Sequence, residues 1–504
     1  MKRSKIAAPK AKRALATALS LAMAATLSVG CTRDTAKAPP DTDPSAARPN
    51  VVMIYADDLG YGDTRLTYAR SIVDTQHLNS IADNGVLFTQ GYTASPVCAP
   101  SRAAMLTSHY PASLGFDGNE EARDHPQNIP SVTIGTLLKD KGYATMAIGK
   151  WDLAGQGRPP ERFMPTGRGF DGFFGLPGGI GNYYPKAPLK APDDAWHIDK
   201  NNPPVMGGMI HNQWGTSYIQ QVKRYDPESK KYVDVNEPQY LTEAFTREAI
   251  QYIDKQADSK QPFFLYLAYN ATHVPLQAPD RYVEKYKNIT DPRDRIYAAM
   301  VDALDDNVGK VLKELDDKGM KDNTMVIFIS DNGPEAGKSG GLRGGKYNVF
   351  EGGIHMPYTI QWPAVYPRKS SFDKLVTTMD VLPTVAVAAG YSEQELKQQY
   401  HVEGTDLTPF ISGKNTNMPH DEMFWRFKVK EKNAKQTIST AVRSGDFKYI
   451  QSESKGGKDE EYLYNIRQDA KETHNLINDD SLKSTLQNLK ARLDKWNKDN
   501  PMKY

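Results

Sequence analysis

Cys98 is one of only two cysteines in the 504-residue chain, and it opens the stretch Cys98-Ala99-Pro100-Ser101-Arg102. An unpaired thiol in an oxidising compartment is a liability unless it has a chemical task. Elsewhere, Asp57-Asp58 and Asp331-Asn332 supply hard oxygen donors suited to Ca²⁺ or Mg²⁺. Read alone, an Asp-Asp after a strand is usually a turn or helix cap, and Asp-Asn-Gly is a natural turn. Lys150 and Lys346, read singly, are solvated surface groups, and Arg102 is a helix-surface charge. His273 is a loop histidine whose near-neutral titration suits general-acid work.

Four apolar runs can bring these groups together. Val51 to Tyr55 runs into Asp57-Asp58, and Ala144 to Ile148 into Gly149-Lys150. Phe263 to Leu267 runs towards Asn270 and His273, and Met325 to Ile329 into Asp331-Asn332-Gly333. Continuous apolar runs of this length, separated by helical patterns, indicate a parallel sheet covered on both faces. Ligands of such sheets sit outside the carboxyl ends of the strands, so the pattern alone places two acids, a lysine, a histidine and an Asp-Asn pair at one edge. Helices are predicted from Ile296 to Lys318, stopped by Gly319, and from Ile134 to Lys141 before Gly142. Ala154 to Pro238, rich in Gly, Pro, Tyr and Trp, reads as long loops. The fold class is α/β: a large, mostly parallel sheet sandwiched by helices. Strand-like pieces at Thr440 to Arg443 and Lys448 to Gln451, with a helical tail from Leu482 to Trp496, make a smaller C-terminal sheet-plus-helix domain.

Residues 1–30 read as an export signal. Six Lys and Arg without an acid precede an apolar run that is too short and too rich in Ala and Ser for a membrane span. Setting those six aside leaves 57 basic against 61 acidic side chains, a charge of about −4. Such a mature chain has no global pull towards nucleic acid. Cys31 stands where a lipoprotein signal places its acylated cysteine, although Ser28 occupies the position that usually carries Leu. Residues 31–48 form a flexible tether, 49–415 the large domain and 416–504 the C-terminal domain. The expected location is the bacterial periplasm or the outer-membrane surface, with possible anchoring through lipidated Cys31.

The Cys-x-Pro-Ser-Arg signal resembles that of the formylglycine-dependent sulfatases of the alkaline phosphatase-like superfamily. Asp57-Asp58, Gly142-Tyr143 leading to Gly149-Lys150-Trp151, Asp331-Asn332-Gly333, and Glu351-Gly352-Gly353 before Pro357 follow the family in order. The resemblance implies that a maturation enzyme oxidises Cys98 to formylglycine. One hydroxyl of the hydrated aldehyde then attacks sulfur, and the second expels sulfate, an exit a plain serine lacks. It implies one Ca²⁺ held by Asp57, Asp58, the residue made from Cys98, Asp331 and Asn332. Lys150 and Lys346 would neutralise sulfate oxygens, Arg102 would orient the diol, and His273 would protonate the leaving alcohol. The chain departs from the family at Asp152, which follows Gly149-Lys150-Trp151 where a histidine is usual. Asp152 is taken as the replacement base; the alternatives are that His109 reaches in or that turnover is impaired.

The expected substrate is a sulfated carbohydrate, a polysaccharide or its oligosaccharides such as algal galactan or ulvan. Tyr183, Tyr184, Lys186, Trp196, His197, His211 and Trp214 are candidate sugar and sulfate contacts, with packing beneath the loops as the plainer role for about half of them. The alternatives are a phosphodiester or phosphonate monoester hydrolase of the same superfamily, and a catalytically impaired glycan-binding surface protein.

Overall fold

The structure, a computed structural model, describes residues 48–155, 159–179, 181–184, 222–259, 261–430, 436–455 and 457–504. Among these residues the strands are, in chain order, β1 (Asn50–Ala56), β2 (Val86–Phe88), β3 (Gly91–Tyr92), β4 (Ala144–Lys150), β5 (Gly172–Leu176), β6 (Lys223–Asp226), β7 (Lys231–Asp234), β8 (Phe263–Ala268), β9 (Thr324–Ser330), β10 (Tyr358–Gln361), β11 (Ser370–Phe372), β12 (Val376–Thr377), β13 (Glu422–Lys430), β14 (Gln436–Ser444), β15 (Phe447–Lys455) and β16 (Glu460–Asn465). Ten of them form one sheet in the order β11-β2-β10-β9-β1-β8-β4-β5-β6-β7. Its centre, β9-β1-β8-β4-β5, is parallel throughout. β10 joins β9 antiparallel, and the β6–β7 hairpin closes the other side.

The continuous apolar runs follow from burial on both faces. Along β1, Val51, Met53 and Tyr55 enter one core while Val52, Ile54 and Ala56 enter the other, as the two-residue period of a strand requires. Helices Cys98–Thr107, Ile134–Asp140 and Val381–Ala388 cover the first face; Gln76–Asp83, Leu241–Ala257 and Pro292–Asp317 cover the second. The helix expected from Ile296 begins earlier, at Pro292. The Asp291 side chain accepts from the amides of Arg293 and Asp294, and proline fits the first turn.

The reading of Ala154 to Pro238 as loops is corrected in its described part, which contains β5, β6 and β7. β5 is broken up by Gly172 and Gly175, and the β6–β7 hairpin is a polar edge with few apolar residues. Neither carries the apolar signal of a buried strand.

The C-terminal sheet β13-β14-β15-β16 is wholly antiparallel. Phe424, Val442, Tyr449 and Leu463 pack on Leu489, Leu493 and Trp496 of helix Lys483–Asp499. The other face, Met423, Trp425, Phe427 and Ala441, packs on Tyr92, Val97, Val349 and Ile354. That contact braces Val97, the residue before Cys98. Among the described residues no helix is long and apolar enough to cross a membrane; Cys31 lies outside them.

Candidate active site

The carboxyl ends of β1, β4, β8 and β9 deliver Asp57-Asp58, Lys150, the Asn270–His273 turn and Asp331-Asn332 to one edge of the sheet. At the end of β4, Gly149 adopts φ +104, and a Cβ there would lie 1.8 Å from the Ala268 carbonyl oxygen. Only glycine lets β4 pass so close to β8 while Lys150 turns into the site.

Cys98 begins a ten-residue helix in which every residue is buried. The amide of Ala99 donates to Asn119 Oδ1 at 2.9 Å, and the helix terminus turns its positive end towards the site, where an anion is favoured. Cys98 Sγ lies 3.6 Å from Asp57 Oδ1 and 4.0 Å from Asp58 Oδ1. Burial pushes the thiol pKa far up, and Lys150 and Lys346 only partly oppose it. The unconverted cysteine is therefore a protonated thiol, a poor nucleophile.

The charged groups pair around it. Lys150 Nζ donates to Asp57 Oδ2 at 2.7 Å, and Lys346 Nζ to Asp58 Oδ2 at 2.7 Å and Glu335 Oε2 at 3.3 Å. Arg102 donates to Asp331 Oδ2 through Nε and Nη2 at 3.1 and 2.8 Å, and to the Lys150 carbonyl at 3.1 Å. Burial pushes Asp57 up, but Lys150, His273 and Arg102 outweigh it and hold the carboxylate below its usual range. Asp331 goes the other way, raised by burial and by repulsion from Asp57. His273 Nδ1 lies 2.6 Å from the Val274 carbonyl oxygen, which leaves Nε2 facing Asp58 Oδ2 at 3.6 Å.

This donor set fits a hard divalent cation. Ligand atoms of Asp57, Asp58, Cys98 and His273 all lie within 4.8 Å of one another. Asn332 Nδ2 donates to Asp58 Oδ1 at 2.7 Å, while its buried Oδ1 has no partner among the described residues. A buried acceptor left this way costs stability unless a ligand satisfies it. Asp331, expected as a ligand beside Asp57, Asp58, residue 98 and Asn332, stands at the same edge, where its Oδ1 accepts from the Asp58 amide at 3.1 Å and its Oδ2 holds Arg102.

The sulfatase family model matches residues 49–391, well over half of the chain. The chain belongs to the sulfatase family. It is a sulfuric ester hydrolase. A C-terminal family named for N-sulphoglucosamine sulphohydrolase matches residues 345–499. The human N-acetylgalactosamine-6-sulfatase is 33% identical over 380 residues, 72% of this chain and 66% of that protein. The sulfatase YdeN of Escherichia coli K12 is 29% identical over 430 residues, 75% of this chain and 68% of that one. Among solved structures, Ps i-CgsB matches with a TM-score of 0.75 and 31% identity, covering 90% of this chain and 94% of that one. The same protein has been solved in complex with k-i-k-neocarrahexaose.

The sulfatase also holds features its motifs do not announce. Both oxygens of Asp152 are taken by Arg123, from Nε and Nη2, each at 2.9 Å. Burial pushes this carboxyl up, but Arg123 and Lys150 together carry it down to about 2. The expectation of Asp152 as a base meets a physical obstacle here: each oxygen already accepts from Arg123 and its basicity is low. His109 does not reach in either. It follows the far end of the Cys98–Thr107 helix, about 15 Å along the axis by helical rise, with Nδ1 2.7 Å from the Thr107 carbonyl oxygen. His355 stacks on Tyr92 beneath the C-terminal sheet and faces Glu351.

Of the proposed sugar contacts, Tyr183 is fully buried, its hydroxyl 2.6 and 2.8 Å from the carbonyl oxygens of Asn270 and His273. It is corrected from a stacking platform to a brace for the His273 turn. Tyr184 is half-buried beside Tyr240. Lys186, Trp196, His197, His211 and Trp214 lie outside the described residues. Glu335, Arg123 and the exposed Tyr347 stand beside these groups as well, and none of them sits in a pattern that sequence reading weighs. Asp58, Asp152 and Tyr347 all have left-handed backbone, at φ +59, +60 and +73, strain of the kind that gathers at functional sites.

Proposed function

We propose that this sulfatase removes sulfate from a sulfated carbohydrate, a polysaccharide such as an algal galactan or its oligosaccharides, using formylglycine made from Cys98 and one bound Ca²⁺. The observation that carries the reading is the setting of Cys98: a buried helix terminus faced by Lys150, Lys346 and Arg102, beside an acceptor, Asn332 Oδ1, that lacks a partner. Asp57, Asp58, Asp331 and Asn332 would hold the ion, which when bound supplies Lewis-acid polarisation of sulfate oxygens. Lys150 and Lys346 would take the charge that develops on those oxygens. Arg102 fixes Asp331 and, through the Lys150 carbonyl, the end of β4. With Nδ1–H of His273 donating to the Val274 carbonyl, a proton on Nε2 is the one available to the leaving alcohol. The resemblance to Ps i-CgsB supports a galactan of the carrageenan type.

Mass spectrometry of the peptide containing residue 98 tests the nucleophile. Conversion lowers its mass by about 18 Da relative to cysteine, and an intact thiol in protein from the native host would overturn the mechanism. Sulfate release from carrageenan oligosaccharides, measured against a phosphodiester and a phosphonate monoester, tests the reaction. Equal or faster phosphorus chemistry would favour the alternative hydrolase, and binding without release the impaired glycan binder. We further propose export to the periplasm or outer-membrane surface with lipidation at Cys31. Loss of membrane association in Cys31→Ala would support the anchor, and unchanged fractionation would reject it.

A further inference from the structure

Among the described residues four cations lie around Cys98, but they are not equivalent. The side chains of Lys150, Arg102 and Lys346 are 0–2% exposed and each is spent on a carboxylate at the strand ends. Arg123, 27% exposed, is the most accessible of the four. It lies on the short helix Asn119–Asp124, whose first residue accepts the Ala99 amide, so the segment is tied directly to the helix that begins at Cys98. Asp152 grips its Nε and Nη2, and among the described residues no hydrogen bond is made by Nη1. The pair fits against a glycine: a Cβ on Gly179 would lie 2.3 Å from Arg123 Nη2 and 2.6 Å from Asp152 Oδ1. A guanidinium clamped by a buried carboxylate and still partly exposed is preorganised for an anionic oxygen group.

Resting on the sulfatase reading above, we propose that Arg123 is a specificity-determining residue. It binds a second anionic group, sulfate or carboxylate, on the sugar that carries the scissile sulfate ester or on its neighbour. Asp152 is then a positioning residue. It holds the guanidinium rather than accepting a proton, so the side chain that replaces the family's histidine serves selection.

The test compares affinities in a Cys98→Ala background, so that it does not depend on turnover. Calorimetry would use pairs of oligosaccharides that differ only in a second sulfate, or only in a carboxylate, beside the same sulfate ester. Arg123→Ala is expected to weaken binding of the doubly charged member by about 10- to 100-fold, the scale of a charge-assisted hydrogen bond, with at least tenfold less effect on the singly charged one. Arg123→Lys should recover part of the preference. Gly179→Ala, which displaces the pair without removing a charge, should give a smaller loss in the same direction. Arg123→Gln combined with Asp152→Asn removes both charges together and guards against misfolding around an unpaired buried acid. Equal weakening for both members of a pair, or none, would overturn the proposal. So would an Asp152→Asn enzyme, in the Cys98-containing chain, that keeps KM and the discrimination but loses kcat together with the acid limb of its pH profile, because that result assigns Asp152 as a base. If the wild-type chain binds the sugars with this discrimination and releases no sulfate, the proposed function fails while this inference stands.

Discussion

Two clusters of buried charge lie close to each other in this protein and have opposite character. One, at the strand ends, joins Asp57, Asp58 and Asp331 to Lys150, Lys346 and Arg102. The other lies where the C-terminal sheet meets the large domain. There Lys448 reaches Glu351 at 2.8 Å and Glu472 at 3.0 Å, with His355 and Tyr92 on the far side of Glu351. Pair distances are similar in both, so pairing does not separate chemistry from architecture. What separates them is access, since each holds a left-handed residue, Asp58 or Glu472, and a buried oxygen without a hydrogen bond, on Asn332 or Glu472. The inner faces of the second cluster are closed by Trp425 and Tyr464 in a continuous core. The first gathers ligand atoms of Asp57, Asp58, Cys98 and His273 within 4.8 Å and opens to solvent past Arg123 and Tyr347. Access to a gathered donor set marks the site.

The comparison breaks most visibly if each cluster is cut once. Cys98→Ala should abolish sulfate release by at least about 10⁴-fold, with the thermal midpoint close to wild type, because one small buried side chain is exchanged for another. Lys448→Met should do the reverse. Removing one partner of a buried pair costs about 3–5 kcal/mol, read as a lower denaturation midpoint, while kcat/KM per folded molecule stays within a few-fold. A large activity loss in folded Lys448→Met would mean the two clusters are coupled. Next in size is the ion. Ca²⁺ at 100 to 1,000 times its Kd should stabilise the protein by about 3–4 kcal/mol in calorimetry of chelated and reloaded samples. Asn332→Ala should lose most of that gain and Lys448→Met none of it. An unchanged midpoint on loading would remove the ion from the first cluster.

The same contrast explains what was legible in the sequence. β1, β4, β8 and β9 announce themselves because both faces are buried, so their apolar runs are unbroken, and the groups that follow them are delivered by the strand ends. Asp331-Asn332 were readable for that reason, and Cys98, at a helix start, from the scarcity of cysteine and the Cys-x-Pro-Ser-Arg stretch. Arg123 was not, because it sits on a short polar helix and its partner Asp152 is 29 residues away in the chain and adjacent only in the fold. Nor was the role of Tyr183: an aromatic in a Gly- and Pro-rich stretch reads as a sugar platform, and only the fold shows its hydroxyl on the carbonyls of Asn270 and His273. β6 and β7 escaped because an edge hairpin needs no apolar run. Glu351 was noted as part of a motif, yet its partners Lys448 and Glu472 come from a different domain and follow no local pattern.

A third buried pair sharpens the comparison at the smallest scale, because one member is a histidine. His420 Nε2 lies 2.7 Å from Asp380 Oδ1 just before β13, and Asp380 also accepts the amides of Thr377 and Thr405. Burial pushes the imidazole pKa down, but the Asp380 carboxylate overrides it and the folded pKa lies above the ordinary value of 6.5. The folded state thus favours the imidazolium. The pair's stabilisation is fully present below pH 6.5 and is lost as pH rises through the raised folded pKa. Across that window the wild-type midpoint should fall relative to His420→Gln by an amount on the order of 1 kcal/mol, and the two curves should run parallel at higher pH. The residue 98 environment should not respond, since His420 belongs to the closed, architectural kind of pair. A parallel fall in kcat that Gln removes would place His420 with the first cluster instead and redraw the boundary between the two.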